Sequence, residues 1–241
     1  MSNHSLGTWL SLPNESIAEI FAKAGYDWVV IDLEHSAINI NQAEQLIRTI
    51  DLAGSKPFVR LSEHSSSQIK RVLDAGARGI LAPMVESKAQ IEDIISACHY
   101  PPRGKRGMGL ARGQGYGEVN AKKEYITTTS KHVEIYAQIE SVAGIANLDS
   151  IFSQEIDGYF IGPYDLSASL GNPGIFDSDE FINAEEQILE ASKRHQIKAG
   201  CHLVEPNPEQ IPILVNQGYD MIAYSVDIRM LDLSARLPFS E

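Results

Sequence analysis

The chain has 241 residues, with 20 Lys+Arg against 32 Asp+Glu, a formal net charge of −12. Its 43% hydrophobic, 7% aromatic and 22% charged residues are ordinary globular composition, which excludes wholesale disorder and fibrous repeats. A pI near 5.0 argues against a general nucleic-acid binder, which needs a basic face, but leaves room for an anionic small molecule held by a few arginines. Cys98 and Cys201 are too few for a disulfide framework and sit in apolar stretches, so buried free thiols and a cytoplasmic location are expected. Residues 1–12 lack the basic start and apolar core of a signal peptide, and no apolar run approaches the ~18 residues of a membrane span.

Short apolar runs alternate with helix-like periodicity from one end to the other. Strands are expected over 7–12, 28–34, 57–61, 79–85, 133–140, 157–162, 198–203 and 221–226. Helical patterns fall between them: Ile17, Ile20, Phe21 and Ala24 closed by Gly25; Ala43, Leu46, Ile47 and Ile50 stopped by Gly54. Further helices are read over 67–76, 88–99, 121–130, 143–152, 179–195 and 209–217, with a helical tail after the last strand. The strands are nearly all apolar, as expected when both faces are covered. Eight βα units in 241 residues fit a (β/α)8 TIM barrel as a single domain over 1–241. A doubly wound sheet is the alternative, but Leu12 runs into Pro13-Asn14-Glu15 without the glycine-rich turn such folds carry.

In a barrel of this kind the chemistry sits at the C-terminal ends of the strands. There the sequence sets Asp32, Glu34 and His35; Arg60; Gln138 and Glu140; Gly162-Pro163-Tyr164-Asp165; His202; and Ser225 with Asp227. Charged groups directly after buried apolar runs are costly unless paired or bound to a ligand. Glu140 and Asp165 on one rim read either as a Mg2+ or Mn2+ site or as residues opening helices. Arg60 reads as a partner for a substrate oxyanion, or as a salt bridge to Asp32, Glu34 or Asp74. His35 suits acid–base chemistry, or caps the next loop. Asp74 either orients His35 or caps a helix end, and His202 has no evident partner.

Residues 101–117, PPRGKRGMGLARGQGYG, break the rhythm. They carry Arg103, Lys105, Arg106 and Arg112 among six glycines. A stretch of this length reads as a mobile cover over an anionic ligand, or as a subunit-contact loop. It is not a P-loop, because Gly104-Lys105 is followed by Arg106.

Six motifs in order, IDLEHS (31–36), VR (59–60), LDAGARGILAPMVES (73–87), YPPRGKRGMG (100–109), QIES (138–141) and GPYDLSASLG (162–171), closely resemble the HpcH/HpaI aldolase family of class II, metal-dependent pyruvate aldolases. The resemblance spans roughly residues 5–235. It implies a (β/α)8 barrel assembled as a hexamer, a trimer of dimers, with the C-terminal helix exchanged between subunits. It also implies reversible cleavage of a 4-hydroxy-2-oxo acid to pyruvate and an aldehyde, with a divalent metal ion (Mg2+, Mn2+ or Co2+). By resemblance Glu140 and Asp165 are metal ligands beside Gln138, His35 is the catalytic histidine, Asp74 the acid paired with it, and Arg60 binds the oxo group. Backbone amides around Tyr164 and Asp165 would receive the 2-oxo acid carboxylate. The small-molecule partners are then a 2-oxo acid and an aldehyde, with no nucleic acid and no membrane.

The residues fit that chemistry in their own right. Retro-aldol cleavage needs a base for the 4-hydroxyl proton, which His35 supplies directly or through a water, and a cationic sink for the enolate. No lysine stands at the strand ends, which argues against Schiff-base chemistry. The chain departs from the family pattern at Leu61-Ser62-Glu63-His64, at LARGQGYG and at CHLVEP, where the aldehyde should bind. His202 and Glu205 at that rim would suit a hydroxylated, sugar-like aldehyde. The rival readings are a CoA-thioester lyase of the citrate lyase β-subunit type and a non-catalytic 2-oxo-acid-binding barrel.

Overall fold

A computed structural model describes residues 4–239. Eight parallel strands close into a barrel in chain order: β1 (Ser5–Leu10), β2 (Trp28–Asp32), β3 (Lys56–Arg60), β4 (Gly79–Ala82), β5 (Glu134–Ile139), β6 (Gly158–Ile161), β7 (Lys198–Leu203) and β8 (Met221–Val226). Closure is made by β1 on β8, with Ser5 opposite Met221 and Gly7 opposite Ala223, and this excludes the open doubly wound sheet. The helices outside are α1 (Glu15–Ala24), α2 (Ile40–Leu52), α3 (Ser66–Ala75), α4 (Lys88–Cys98), α5 (Val119–Thr127), α6 (Val142–Ala146), α7 (Leu148–Phe152), α8 (Pro163–Ser169), α9 (Asp179–His195), α10 (Gln210–Gln217) and α11 (Asp227–Arg236). Among the described residues no helix is long and apolar enough to cross a membrane.

Local chemistry sets the helix ends. The Asn14 side chain accepts from the Ser16 and Ile17 amides to open α1, and Gly25 closes it at φ 104°. Asn39 and Gln42 form a reciprocal capping box on α2. Ser65 caps α3. At the C-terminal end of β8, Asp227 opens α11 and its carboxylate accepts from the Ser11 and Leu12 amides at 2.9 and 2.8 Å. That carboxylate clasps the end of β1 to the end of β8.

Strand alternation divides the core in two. Val29, Ile31, Val59, Ile80, Ile135 and Ile139 face outward and join the inner faces of the helices in one large apolar layer. Trp9, Trp28, Val30, Phe58, Leu81, Tyr136, Phe160, Met221 and Ala223 point inward and fill the barrel. Its centre is aromatic: Trp28 stacks on Phe58 at 5.8 Å, and Phe160 meets Trp28 and Tyr136 edge-on at 5.7 Å. Such rings fit only where a neighbouring strand gives up its side chain. A Cβ at Gly7 would lie 2.1 Å from the Trp28 ring, and one at Gly200 would lie 2.9 Å from Phe160.

Several boundaries differ from the periodicity, each for a local reason. The run 79–85 leaves the sheet at Ala82, because Pro83 has no N–H to offer the ladder and Met84 adopts φ 47°. The stretch 143–152 is two helices hinged at Asn147 rather than one. The helix expected over 121–130 runs over Val119–Thr127, followed by a 3-10 turn, Thr129–His132. Both cysteines are buried and free, and burial pushes the Cys98 thiol up to about 12.

Candidate active site

The inward column of each strand continues past its last apolar residue, and those next positions are the polar ones. On β2 and β3 they are Asp32 and Arg60, which sit directly opposite each other in register. Arg60 donates from Nε to Asp32 Oδ1 at 2.9 Å and from Nη2 to Oδ2 at 2.6 Å, a two-pronged buried pair. Its Nη1 lies 3.1 Å from Glu34 Oε2 as an ion pair that lacks hydrogen-bond alignment. The guanidinium also lies over the Trp9 ring, 5.4 Å from its centroid. Burial alone would raise the Asp32 carboxyl, but the hydrogen bonds and charge of Arg60 override it and hold it below the usual range.

Asp32 does a second job. Its Oδ1 accepts from the backbone amides of Glu34 and His35 at 2.9 and 3.2 Å, and the Ser36 hydroxyl donates to its carbonyl. One carboxylate therefore fixes both Arg60 and the turn that carries His35. The His35 side chain is 62% exposed and borders the same cavity, its Nε2 4.0 Å from Glu34. It stands at the mouth as a solvent-accessible imidazole.

Gln138 and Glu140 continue the inner face of β5, and both are buried. Ser141, not Glu140, caps α6 by accepting from the Gly144 amide. Glu140 Oε1 accepts from the Met84 amide at 2.6 Å and Oε2 from Gln138 Nε2 at 2.8 Å. The left-handed backbone of Met84 is what turns that amide inward, a conformation costly for a non-glycine residue. Gly162 makes room on the other side, since a Cβ there would meet Glu140 Oε2 at 2.0 Å. Burial pushes the Glu140 carboxyl up to about 7; the negative charges of Glu34 and Asp165 add to this, against the Met84 hydrogen bond and Arg60.

Asp165 lies in the first turn of α8, whose N-cap is Gly162, and its exposed carboxylate makes no hydrogen bond to a described residue. Pro163 occupies the first helical position, so the free first-turn donors there are the Tyr164 and Asp165 amides. These groups surround a cavity of about 320 Å3 lined by Trp9, Asp32, Arg60, Gln138, Asp165 and His202, among others. A larger groove of about 810 Å3 lies at the strands' opposite ends. Two of its cations are already matched by acids, Lys56 with Glu134 and Arg103 with Glu155.

Among the described residues no group of three or more His, Cys, Asp or Glu side chains stands ready to hold a metal. The donor set at the mouth is nevertheless suited to a hard divalent cation. Glu140, Asp165 and Glu34 repel one another, and the buried Gln138 Oε1 has no hydrogen-bond donor. Two carboxylates, an amide oxygen and open water positions match Mg2+ or Mn2+ rather than Zn2+.

Asp74, the arginines of 101–117 and Glu205 each have partners elsewhere in the chain. Asp74 does not pair with His35 within the chain. It lies in the last turn of α3, where its Oδ1 accepts from Arg106 Nη2 at 2.6 Å and Gln114 Nε2 at 2.9 Å. Nor is the 101–117 segment a cationic cover. Arg106 is buried between the Tyr100 and Tyr125 rings at 4.9 and 5.5 Å, Arg112 is bound to Asp51 at 2.5 Å, and Arg103 is paired with Glu155. Glu205 is likewise turned away from the cavity onto Arg229 at 2.8 Å. Conversely, the sequence did not single out Met84 or Trp9.

Replacing Asp32 with Asn tests the two-way clamp. Breaking a buried pair leaves Arg60 uncompensated, so stability at pH 7 should fall by about 3 kcal/mol in denaturant unfolding. Because the folded Asp32 carboxyl is depressed, its contribution is present above the ordinary carboxylate range and lost as pH falls through the lower folded value. The gap between wild type and Asp32→Asn should therefore narrow toward pH 3, and equal stabilities at pH 7 would contradict the clamp.

Residues 5–232 match the sequence profile of the HpcH/HpaI aldolase/citrate lyase family. A hydroxypyruvate/pyruvate aldolase of Rhizorhabdus wittichii is 37% identical over 236 residues, covering 96% of this chain and 91% of the relative. A 2-keto-3-deoxy-L-rhamnonate aldolase of Salmonella gallinarum is 42% identical over 225 residues, covering 92% and 82%. The crystal structure of a HpcH/HpaI aldolase/citrate lyase family protein from Burkholderia cenocepacia superposes with a TM-score of 0.91 at 30% identity, covering 98% of this chain and 94% of that one. With an acid-rich barrel mouth beside Arg60 and His35, the chain is an aldolase-type lyase, and it belongs to the HpcH/HpaI aldolase/citrate lyase family.

Proposed function

We propose that this aldolase cleaves a 4-hydroxy-2-oxo acid to pyruvate, or a close 2-oxo acid, and an aldehyde, and runs the reaction in reverse. The observation that carries the reading is the charge balance at the mouth. Glu34, Glu140 and Asp165 are mutually repulsive there, and Arg60 is already bound to Asp32. A divalent cation held by Glu140 and Asp165 beside Gln138 would relieve that repulsion and supply the Lewis acidity that stabilises an enolate.

The chain's own residues do the rest. Arg60, fixed by Asp32, holds a positive charge toward the 2-oxo group without reorganising. The free Tyr164 and Asp165 amides suit the substrate carboxylate. His35 at the mouth takes the proton from the 4-hydroxyl in cleavage and returns it in addition. Trp9 and Phe160 form the apolar floor of the cavity, beneath the place where the enolate would lie. Within one chain Asp74 holds Arg106 and Gln114.

The test is chelator-stripped protein incubated with pyruvate in D2O, then supplied with Mg2+, Mn2+ or Co2+, following the methyl proton signal by NMR. Metal-dependent loss of the signal is the expected result. No exchange with any of the three metals would overturn the 2-oxo acid assignment and turn attention to CoA thioesters.

The same reading includes a cytoplasmic hexamer, a trimer of dimers, with α11 exchanged between subunits. Support comes from apolar surface left uncovered at the C-terminus, where Leu231 is 56% and Phe239 85% exposed, and along the 101–117 region, where Leu110 and Tyr116 are each 65% exposed. Light scattering should give the mass of six chains, and a monomer would contradict it.

A further inference from the structure

Among the side chains that line the cavity and that the reaction scheme leaves unused is an imidazole. His202 ends the inward column of β7, and its ring stacks on the Trp9 indole with centroids 4.6 Å apart and planes 16° from parallel. Its Nε2 lies 3.1 Å from the Ser225 carbonyl oxygen. A carbonyl only accepts, so Nε2 carries the hydrogen. Ser225 is held at φ 56°, its hydroxyl donating to the Val204 carbonyl at 2.8 Å, so the acceptor that orients His202 is itself fixed. Burial keeps the ring neutral, pushing its pKa down to about 4. A neutral imidazole protonated at Nε2 has a bare lone pair on Nδ1. His202 lines the cavity, and no described residue donates a hydrogen bond to its Nδ1.

A bare acceptor in a substrate cavity calls for a donor on the substrate. The carboxylate and oxo group of a 2-oxo acid are acceptors only, and the aldehyde carbonyl is another. The 4-hydroxyl gives its proton to His35 in the scheme above. With pyruvate as the 2-oxo acid, a further hydroxyl on the aldehyde fragment is the donor that remains. We propose that His202 Nδ1 accepts a hydrogen bond from a hydroxyl on the carbon next to the aldehyde group, so that the enzyme selects α-hydroxylated over apolar aldehydes. Glu205 takes no part, since it is bound to Arg229.

This proposal rests on the aldolase reading, and the experiment separates the two. Glycolaldehyde and propionaldehyde have the same number of heavy atoms and differ by a hydroxyl in place of a methyl. The quantity to measure is the ratio of their kcat/KM values in metal-loaded addition to pyruvate. Wild type should favour glycolaldehyde. His202→Leu, which removes the acceptor and keeps the bulk, should lower the ratio about tenfold. His202→Asn carries an amide oxygen near the position of Nδ1 and should keep the ratio within about threefold of wild type. A ratio unchanged in His202→Leu, with both aldehydes slowed together, would overturn the proposal and leave His202 as a packing residue on Trp9. The same ratio loss in His202→Asn as in His202→Leu would also overturn it. Wild-type protein that adds pyruvate to neither aldehyde would overturn the aldolase reading itself, and this proposal with it.

Discussion

The Asp32–Arg60 pair governs the rest of the barrel mouth. It joins adjacent strands across the inner face, and its carboxylate also ties down the turn bearing His35. With its guanidinium committed to Asp32 and in contact with Glu34, Arg60 offsets the charge of Glu140 only in part. The mouth is thus rigid on one side and electrostatically unsatisfied on the other. A buried carboxylate in that position either binds a proton or binds a cation. In the proposed site Glu140 takes the second course: the Met84 amide and the Gln138 side chain orient its two oxygens, and Gly162 leaves the space beside them open.

The barrel delivers these groups through a period of two. Along β2, β3 and β5 the inward positions Val30, Phe58 and Tyr136 are followed two residues later by Asp32, Arg60 and Gln138, and along β7 the inward Gly200 is followed by His202. Packing and chemistry therefore share one register. A one-residue slip of any of these strands would exchange a site residue for an apolar neighbour. The aromatic plug beneath the cavity holds that register, and glycines such as Gly7 and Gly200 give it room.

Much of this was legible in the sequence. The apolar runs identified the eight strands, and the bounds of α9, β7 and β8 agree with the periodicity to the residue. The polar residues at strand ends could be picked out because a charge after a buried run is anomalous. What the sequence hid was pairing between distant residues. The arginines of 101–117 look free in a list of charges, yet Arg106 reaches Asp74 across 32 residues and Arg112 reaches Asp51 across 61. The within-chain partners of Asp74 are hidden for the same reason, because its neighbours on α3 give no hint of Arg106. Met84 was missed because its contribution is a backbone amide in an unusual conformation, which no side-chain pattern signals. Pro83, immediately before it, was the one available hint that the strand ends there. His202 was visible as a polar residue in an apolar strand, but its tautomer depends on a carbonyl from β8 and its stacking on a ring from β1.

The central claim is that the unbalanced carboxylates at the barrel mouth form a divalent-cation site. Mn2+ titration of chelator-stripped protein, followed by loss of the free-ion EPR signal, tests it without reference to any substrate. The account predicts one Mn2+ per chain, with affinity lost in Glu140→Gln and in Gly162→Ala, where a methyl group would push Glu140 aside. Mn2+ binding of undiminished affinity in both variants, or no binding by the wild type, would contradict it.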